Sequence, residues 1–126
     1  TFLRNQGIKH VFDSRHKLFG QEIADGVDVV LNSLSGEGFI ETSLSVCRPN
    51  ARFLEIGKRN IWTKEEMMRH RPDVDYHIIA LDDLALAQPS VIHDLFKELL
   101  PLFAQGKLSP IPIKTFPIEC AIQAFE

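Results

Sequence analysis

Two polar clusters and one acid carry the residue types and spacing that could do chemistry. Asn32-Ser33-Leu34 closes an apolar run that begins at Val27, and Gly57-Lys58 closes a second run that ends at Ile56. The first cluster offers an amide and a hydroxyl able to read the edge of a carboxamide. The second offers a backbone corner and an amine in reach of the same ligand. Asp82 follows a third apolar run, 74–80, and would lie within pairing distance of Lys58 if those strands are neighbours. An exposed ion pair, worth ~0–1 kcal/mol, is an equally open reading of Lys58 and Asp82.

The elements that must position these groups alternate between strand and helix. Residues 27–31 are short, almost wholly apolar and rich in valine, which predicts a strand covered on both faces. Ser35 is the expected N-cap of a helix whose Ile40, Leu44 and Cys47 share a face, with Arg48-Pro49-Asn50 ending it. Residues 52–56 then predict a second strand, completing a βαβ unit. In an open parallel sheet the clusters at 32–34 and 57–58 share the carboxyl edge, where ligands bind.

Thr63 with Glu66 forms a capping box for a helix to about His70, followed by a strand over 74–80 with Asp82-Asp83 beyond its end. Pro89 suits the first turn of a helix reaching Gln105, kinked at Pro101 and stopped by Gly106. Towards the ends, the pattern predicts a helical turn stopped by Gly7, a strand over 8–12 and a weak helix over 16–24. It also predicts a proline-flanked edge strand over 111–116 and a last helix from Ile118. The expected fold is α/β: a partial Rossmann-like, mostly parallel sheet flanked by helices, with residues 1–126 as one domain.

Several chemistries are disfavoured. Gly36-x-Gly38 opens a helix after a strand, but Glu41 stands where the dinucleotide fingerprint needs glycine or alanine, so a flexible turn is the expected role. The five histidines lack an HExxH spacing and the two cysteines lack a CxxC, so no metal site is expected and both cysteines read as small buried hydrophobes. There is no GxSxG, and the adjacent pairs Glu65-Glu66 and Asp82-Asp83 point their carboxylates apart. A net charge of -3 disfavours nucleic acid, and the Arg69-His70-Arg71 cluster reads as a solvated helix end. No run reaches the ~20 apolar residues of a membrane span. The chain starts without Met inside an apparent helix, which suggests a piece of a longer protein.

At this point the residues resemble a family. VDVVLNSLSGE followed by FIETSLSVCRPNARFLEIGK is similar to the enoyl reductase domains of modular type I polyketide synthases, in the medium-chain dehydrogenase/reductase superfamily. HVFDSR at 10–15, KRNIWTKEEM from Lys58, RPDVDY from Arg71 and the segment from Leu95 to the end extend the likeness over essentially the whole chain. The resemblance implies the later part of a nucleotide-binding domain, with the glycine-rich pyrophosphate loop and the substrate lobe before Thr1.

It places Asn32, Ser33 and Leu34 beside the nicotinamide of NADPH, Gly57 at the same corner, and Ser14 and Arg15 towards the adenosine end. It makes Lys58 the proton donor or enolate-stabilising group and Asp82 its partner, with Asp83 the alternative. The implied reaction is NADPH-dependent reduction of an α,β-unsaturated thioester on the phosphopantetheine of an acyl carrier protein. The setting would be cytoplasmic, among neighbouring synthase domains, and the piece alone is expected to be inactive. Two readings stay open beside it: ring closure by hydride addition with halide loss, and a non-catalytic structural pseudo-reductase.

Overall fold

A computed structural model describes residues 2–34 and 36–125. The chain divides into two compact units, residues 1–81 and 82–126. The first begins with α1 (Phe2–Asn5) and α2 (Phe19–Glu22), followed by β1 (Val27–Asn32), α3 (Phe39–Ser45), β2 (Cys47–Glu55), α4 (Lys64–His70) and β3 (Asp75–Ile78). The three strands form a parallel sheet in the order β1-β2-β3, so β2 has a neighbour on each side. This is the expected mixed α/β arrangement.

Side chains alternate across a strand, and β2 shows it: Ala51, Phe53 and Glu55 are buried while Arg52 is exposed. Phe53 centres the core with Ile40 and Leu44 of α3, Met67 of α4, Val74 and Tyr76. The Phe53 and Tyr76 rings meet edge-on with centroids 5.7 Å apart. Only one face of β1 is covered, however. Val29 and Leu31 are 58% and 64% exposed, against the expectation of cover on both faces. An apolar run is written for two layers, and among the described residues only one layer packs on this strand.

Where β2 begins is a further difference. Helix α3 ends at Ser45, and Cys47 already pairs with Val27. The register then steps from Val27↔Cys47 to Val29↔Arg52, leaving an irregularity in which Asn50 takes a left-handed φ of 61°. Pro49, which has no N–H to give to a ladder, is tolerated in such a bulge. It therefore sits inside the strand rather than ending the helix. The Ser35 cap lies outside the described residues; Gly38, at φ 73°, occupies the N-cap position of α3.

Helix α4 follows the expectation closely. Thr63 Oγ1 accepts from the Glu66 N–H at 3.1 Å, and Glu66 Oε2 accepts from the Thr63 N–H at 2.7 Å. After α4, Arg71 is no solvated charge. Its guanidinium donates to the carbonyls of Leu44 (2.8 Å), Cys47 (3.4 Å) and Arg48 (3.3 Å), and pairs with Asp73 at 2.8 Å. It thus ties off the α3–β2 junction.

Helix α5 (Leu81–Ala87) follows β3 almost at once, so the strand predicted over 74–80 is shorter than expected. The second unit continues with α6 (Pro89–Ala104), a 3-10 turn (Ile118–Cys120) and α7 (Ala121–Ala124). Pro89 is at the start of α6, and Pro101 is accommodated within it. Gly106, at φ 68°, donates to Phe103 O at 3.0 Å while Lys107 donates to Leu102 O at 2.9 Å, the paired bonds of a Schellman stop. Residues 8–12 and 111–116, expected as strands, carry no regular structure. Ile111 and Ile113 are more than 80% exposed. Without a ladder partner, an extended segment has nowhere to place its backbone hydrogen bonds except water.

Candidate functional site

The carboxyl ends of β1 and β2 meet at the pair Asn32↔Glu55. The backbone ladder continues one step further, with Ile56 N–H donating to Asn32 O at 2.9 Å. Asn32 is 3% exposed, and its carboxamide works inward. Nδ2 donates to Leu34 O at 3.1 Å and Oδ1 accepts the Leu34 N–H at 3.3 Å, which folds 32–34 into a tight Asx-type turn. The second Nδ2 hydrogen goes to Glu55 Oε2 at 2.6 Å.

Glu55 is the residue that sequence reasoning did not single out. It is wholly buried. Its other oxygen, Oε1, accepts the Gly57 N–H at 2.6 Å. One carboxylate therefore holds both polar clusters, the 32–34 turn through the Asn32 side chain and the 57–58 corner through backbone. A buried acid is retained only where donors satisfy it. Gly57 fits this arrangement for a steric reason. A Cβ there would lie 2.7 Å from Glu55 Oε1 and 3.3 Å from Ile61 Cγ2. The acid inside the apolar run FLEI, two residues before a glycine, was the available signal.

The loop that carries Lys58 is anchored further along. Tyr76 Oη donates to Trp62 O at 2.9 Å, and the Trp62 and His70 rings lie 4.7 Å apart. Burial pushes the Tyr76 phenol up to about 12, with the negative charges of Glu55 and Glu66 adding to the shift. Tyr76 therefore stays a neutral hydrogen-bond donor to that loop.

An open cleft of about 350 Å³ lies against the carboxyl end of β1. Phe12, Ser14, Leu31, Asn32, Ser33 and Leu34 line it, so the structure brings Ser14 together with the whole 32–34 turn. Arg15 does not line it. It is 83% exposed and forms a fork with Asp13, at 2.6 Å from Nη2 to Oδ2, holding that carboxyl well below the usual carboxylate range. A second cavity, about 280 Å³, lies at Gly36, Gly38, Glu37, Glu41, Asn60 and Trp62. Its two glutamates oppose a phosphate, and Gly38 takes a left-handed φ of 73°.

Asp82 lies in the first turn of α5, beside Asp83, and belongs to the second unit. An acid is favourable there against the helix dipole. Lys58 belongs to the first unit, just past Gly57. His77 pairs with Asp75 at 2.8 Å on the exposed face of β3. Cys47 is buried, and burial pushes its thiol up.

The profile of the zinc-binding dehydrogenase family matches residues 6–126. The chain belongs to that family. Within it, the similar proteins are enoyl reductase domains of polyketide synthases. The chain is 38% identical over 118 residues to the spectinabilin polyketide synthase system protein NorB of Streptomyces orinoci, covering 92% of this chain and 5% of that protein. Among solved structures, the CurK enoyl reductase is 46% identical, with a TM-score of 0.86 over 98% of this chain and 39% of that one. The CurF ER cyclopropanase from the curacin A biosynthetic pathway is 38% identical, with a TM-score of 0.90 over 98% of this chain and 38% of that one. This dehydrogenase chain thus spans well under half of each of these relatives.

The family's name carries a metal. Among the described residues no group of three or more His, Cys, Asp or Glu side chains is placed to hold one, so the residues present do not fit a zinc site. Among the described residues, no helix is long and apolar enough to cross a membrane.

Proposed function

We propose that this chain supplies the nicotinamide-side edge of an enoyl reductase. The complete enzyme would reduce an α,β-unsaturated acyl thioester, carried on the phosphopantetheine of an acyl carrier protein, at the expense of NADPH. The observation that supports this most is the joining of the 32–34 turn and the Gly57-Lys58 corner at the carboxyl edge of a parallel sheet, in a chain of the dehydrogenase family.

Bound NADPH supplies the hydride that adds to the β-carbon. Ser33 and Leu34 line the cleft that receives the cofactor, Ser14 lines it towards the adenosine end, and Asn32 holds the turn from beneath. Gly57 lets the backbone come close, and Arg15 flanks the adenosine end. As the hydride adds, the π pair of the double bond shifts and charge develops on the thioester oxygen. Lys58 stabilises that oxygen or gives the proton taken up at the α-carbon, work for which a preorganised donor is suited. The family resemblance is what gives Asp82, with Asp83 the alternative, as the partner of Lys58. The choice of NADPH over NADH, the carrier protein, the neighbouring synthase domains and the cytoplasmic setting rest on the family resemblance.

The likeness to a cyclopropanase favours one second reading. There the hydride adds to the β-carbon, the α-carbon displaces a γ-halide, and a three-membered ring closes with loss of halide ion. The test presents the complete reductase with NADPH and two substrates, a crotonyl thioester and its γ-chloro analogue. A saturated product from both supports enoyl reduction, and a cyclopropane from the second supports ring closure. Failure to oxidise NADPH with either refutes both.

A further inference from the structure

Glu55 has no part in the reaction as proposed, yet it is the most completely buried polar group at the site. Both of its oxygens receive donors at 2.6 Å, Nδ2 of Asn32 on one side and the N–H of Gly57 on the other. Its own backbone lies in the central strand, paired with Asn32 of β1 and Ile78 of β3. The Ile79 N–H donates to Glu55 O at 2.7 Å, so the main chain beneath the carboxylate is fixed. The absence of a Cβ at Gly57 makes room for Oε1. These observations describe a bracket with two arms. One arm sets the turn at the cleft, and the other sets the residue before Lys58.

We propose that Glu55 is a positioning residue, whose buried carboxylate holds the cofactor-side turn and the lysine corner at one fixed spacing. The inference rests on the proposed function for its consequence, since the spacing matters only if a hydride acceptor lies between a cofactor and Lys58. The chemistry requires an acceptor on both arms. Glutamine has the same shape but only one oxygen. In Glu55→Gln, either Gly57 loses its acceptor or Asn32 must turn its amide. Turning it would put Nδ2 against the Leu34 N–H, breaking the turn. No volume changes, so the loss isolates the hydrogen-bond polarity.

The experiment uses the complete reductase with NADPH and a crotonyl thioester, comparing the wild type with Glu55→Gln. For folded Glu55→Gln, kcat falls on the order of 100-fold, the scale of a displacement near 1 Å in a reacting pair.

Wild-type kcat and KM in folded Glu55→Gln overturn the inference. So does a lowered melting temperature with unchanged turnover per folded molecule, because a merely structural acid would behave that way. A wild type that fails to reduce the thioester overturns the functional reading instead. The bracket is then judged from a crystal structure of Glu55→Gln, in which displaced 32–34 and 57–58 turns support it and unmoved turns overturn it.

Discussion

Gly57→Ala probes the crowding beneath the lysine corner. The added methyl would sit 2.7 Å from Glu55 Oε1 and 3.3 Å from Ile61 Cγ2, roughly 0.5–1 Å inside ordinary non-bonded contact on the first count. Gly57 lies in the middle of the site, so the cheaper movement is retreat of the carboxylate. That retreat lengthens two bonds now at 2.6 Å, from the Gly57 N–H and from Asn32 Nδ2. Each hydrogen bond to a carboxylate is worth about 1.5–3 kcal/mol, so the expected destabilisation is about 3 kcal/mol. Gly106→Ala is the contrasting case: nothing lies within 4 Å of its Cβ position and only the left-handed φ of 68° opposes it, at a cost of about 1 kcal/mol.

The assay is urea denaturation of the chain followed through Trp62, its single tryptophan, on the wild type, Gly57→Ala, Glu55→Ala and the double variant. With Glu55 truncated, the methyl has room, so Gly57→Ala costs much less in that background. The expected coupling is about 1.5 kcal/mol or more, well beyond the ~0.5 kcal/mol scatter of independent sites. Equal costs in both backgrounds would refute the claim that Glu55 and Gly57 are fitted to one another.

Three further expectations concern the frame around the site. Thr63→Ala removes the side-chain half of the capping box and destabilises the chain by about 1 kcal/mol, measured in the same urea titration. Arg71→Lys fails to replace the planar fork that reaches the Leu44, Cys47 and Arg48 carbonyls. A loss of about 1–2 kcal/mol is expected, and a neutral result would mean those contacts carry little. Hydrogen bonding from Arg71 depresses the Asp73 carboxyl, so its stabilising effect is full above the unfolded value near pH 4 and fades as pH falls towards the folded value. Stability of Asp73→Asn should therefore decline less steeply than the wild type below about pH 4, as thermal melts across that range would show.

Features whose partners are close in sequence were legible before the structure. Thr63 and Glu66 read as a capping box and Gly106 as a helix stop because each depends on a few adjacent residues, and the runs 27–31 and 52–56 read as strands from their own composition. Glu55 was not legible, because the donor that explains it, Asn32, lies 23 residues away. The early start of β2 depends on a left-handed Asn50, which favours no single reading in sequence. Helix α5 carries a weak start signal in the sequence, because LDDLALA follows β3 after only two residues and is preceded by Ala80, which has no polar side chain to cap with. Residues 8–12 and 111–116 have the composition of strands, but a strand also needs a neighbour, and that is a property of the fold.

Of the candidate site, the meeting of two strand ends was legible in the sequence, and Ser33 and Leu34 line a cleft there. The direction of the Asn32 carboxamide was not. Read from sequence it faces a ligand; in the structure its donors go to Leu34 O and Glu55. Asn32 thus sets the shape of the turn, and the residues the turn presents to the cleft include Ser33 and Leu34.

The central claim is that Lys58 serves the reduction of an enoyl thioester, and Lys58→Met in the complete reductase tests it most directly. Methionine keeps much of the length and removes the amine. Single-turnover rates with NADPH carrying deuterium at the transferred position would be compared with the wild type. Deuterium at the β-carbon of the wild-type product and a rate lower by roughly 10²–10⁴-fold in the variant are expected. Wild-type rates in Lys58→Met, or a product with no deuterium at that carbon, would contradict it.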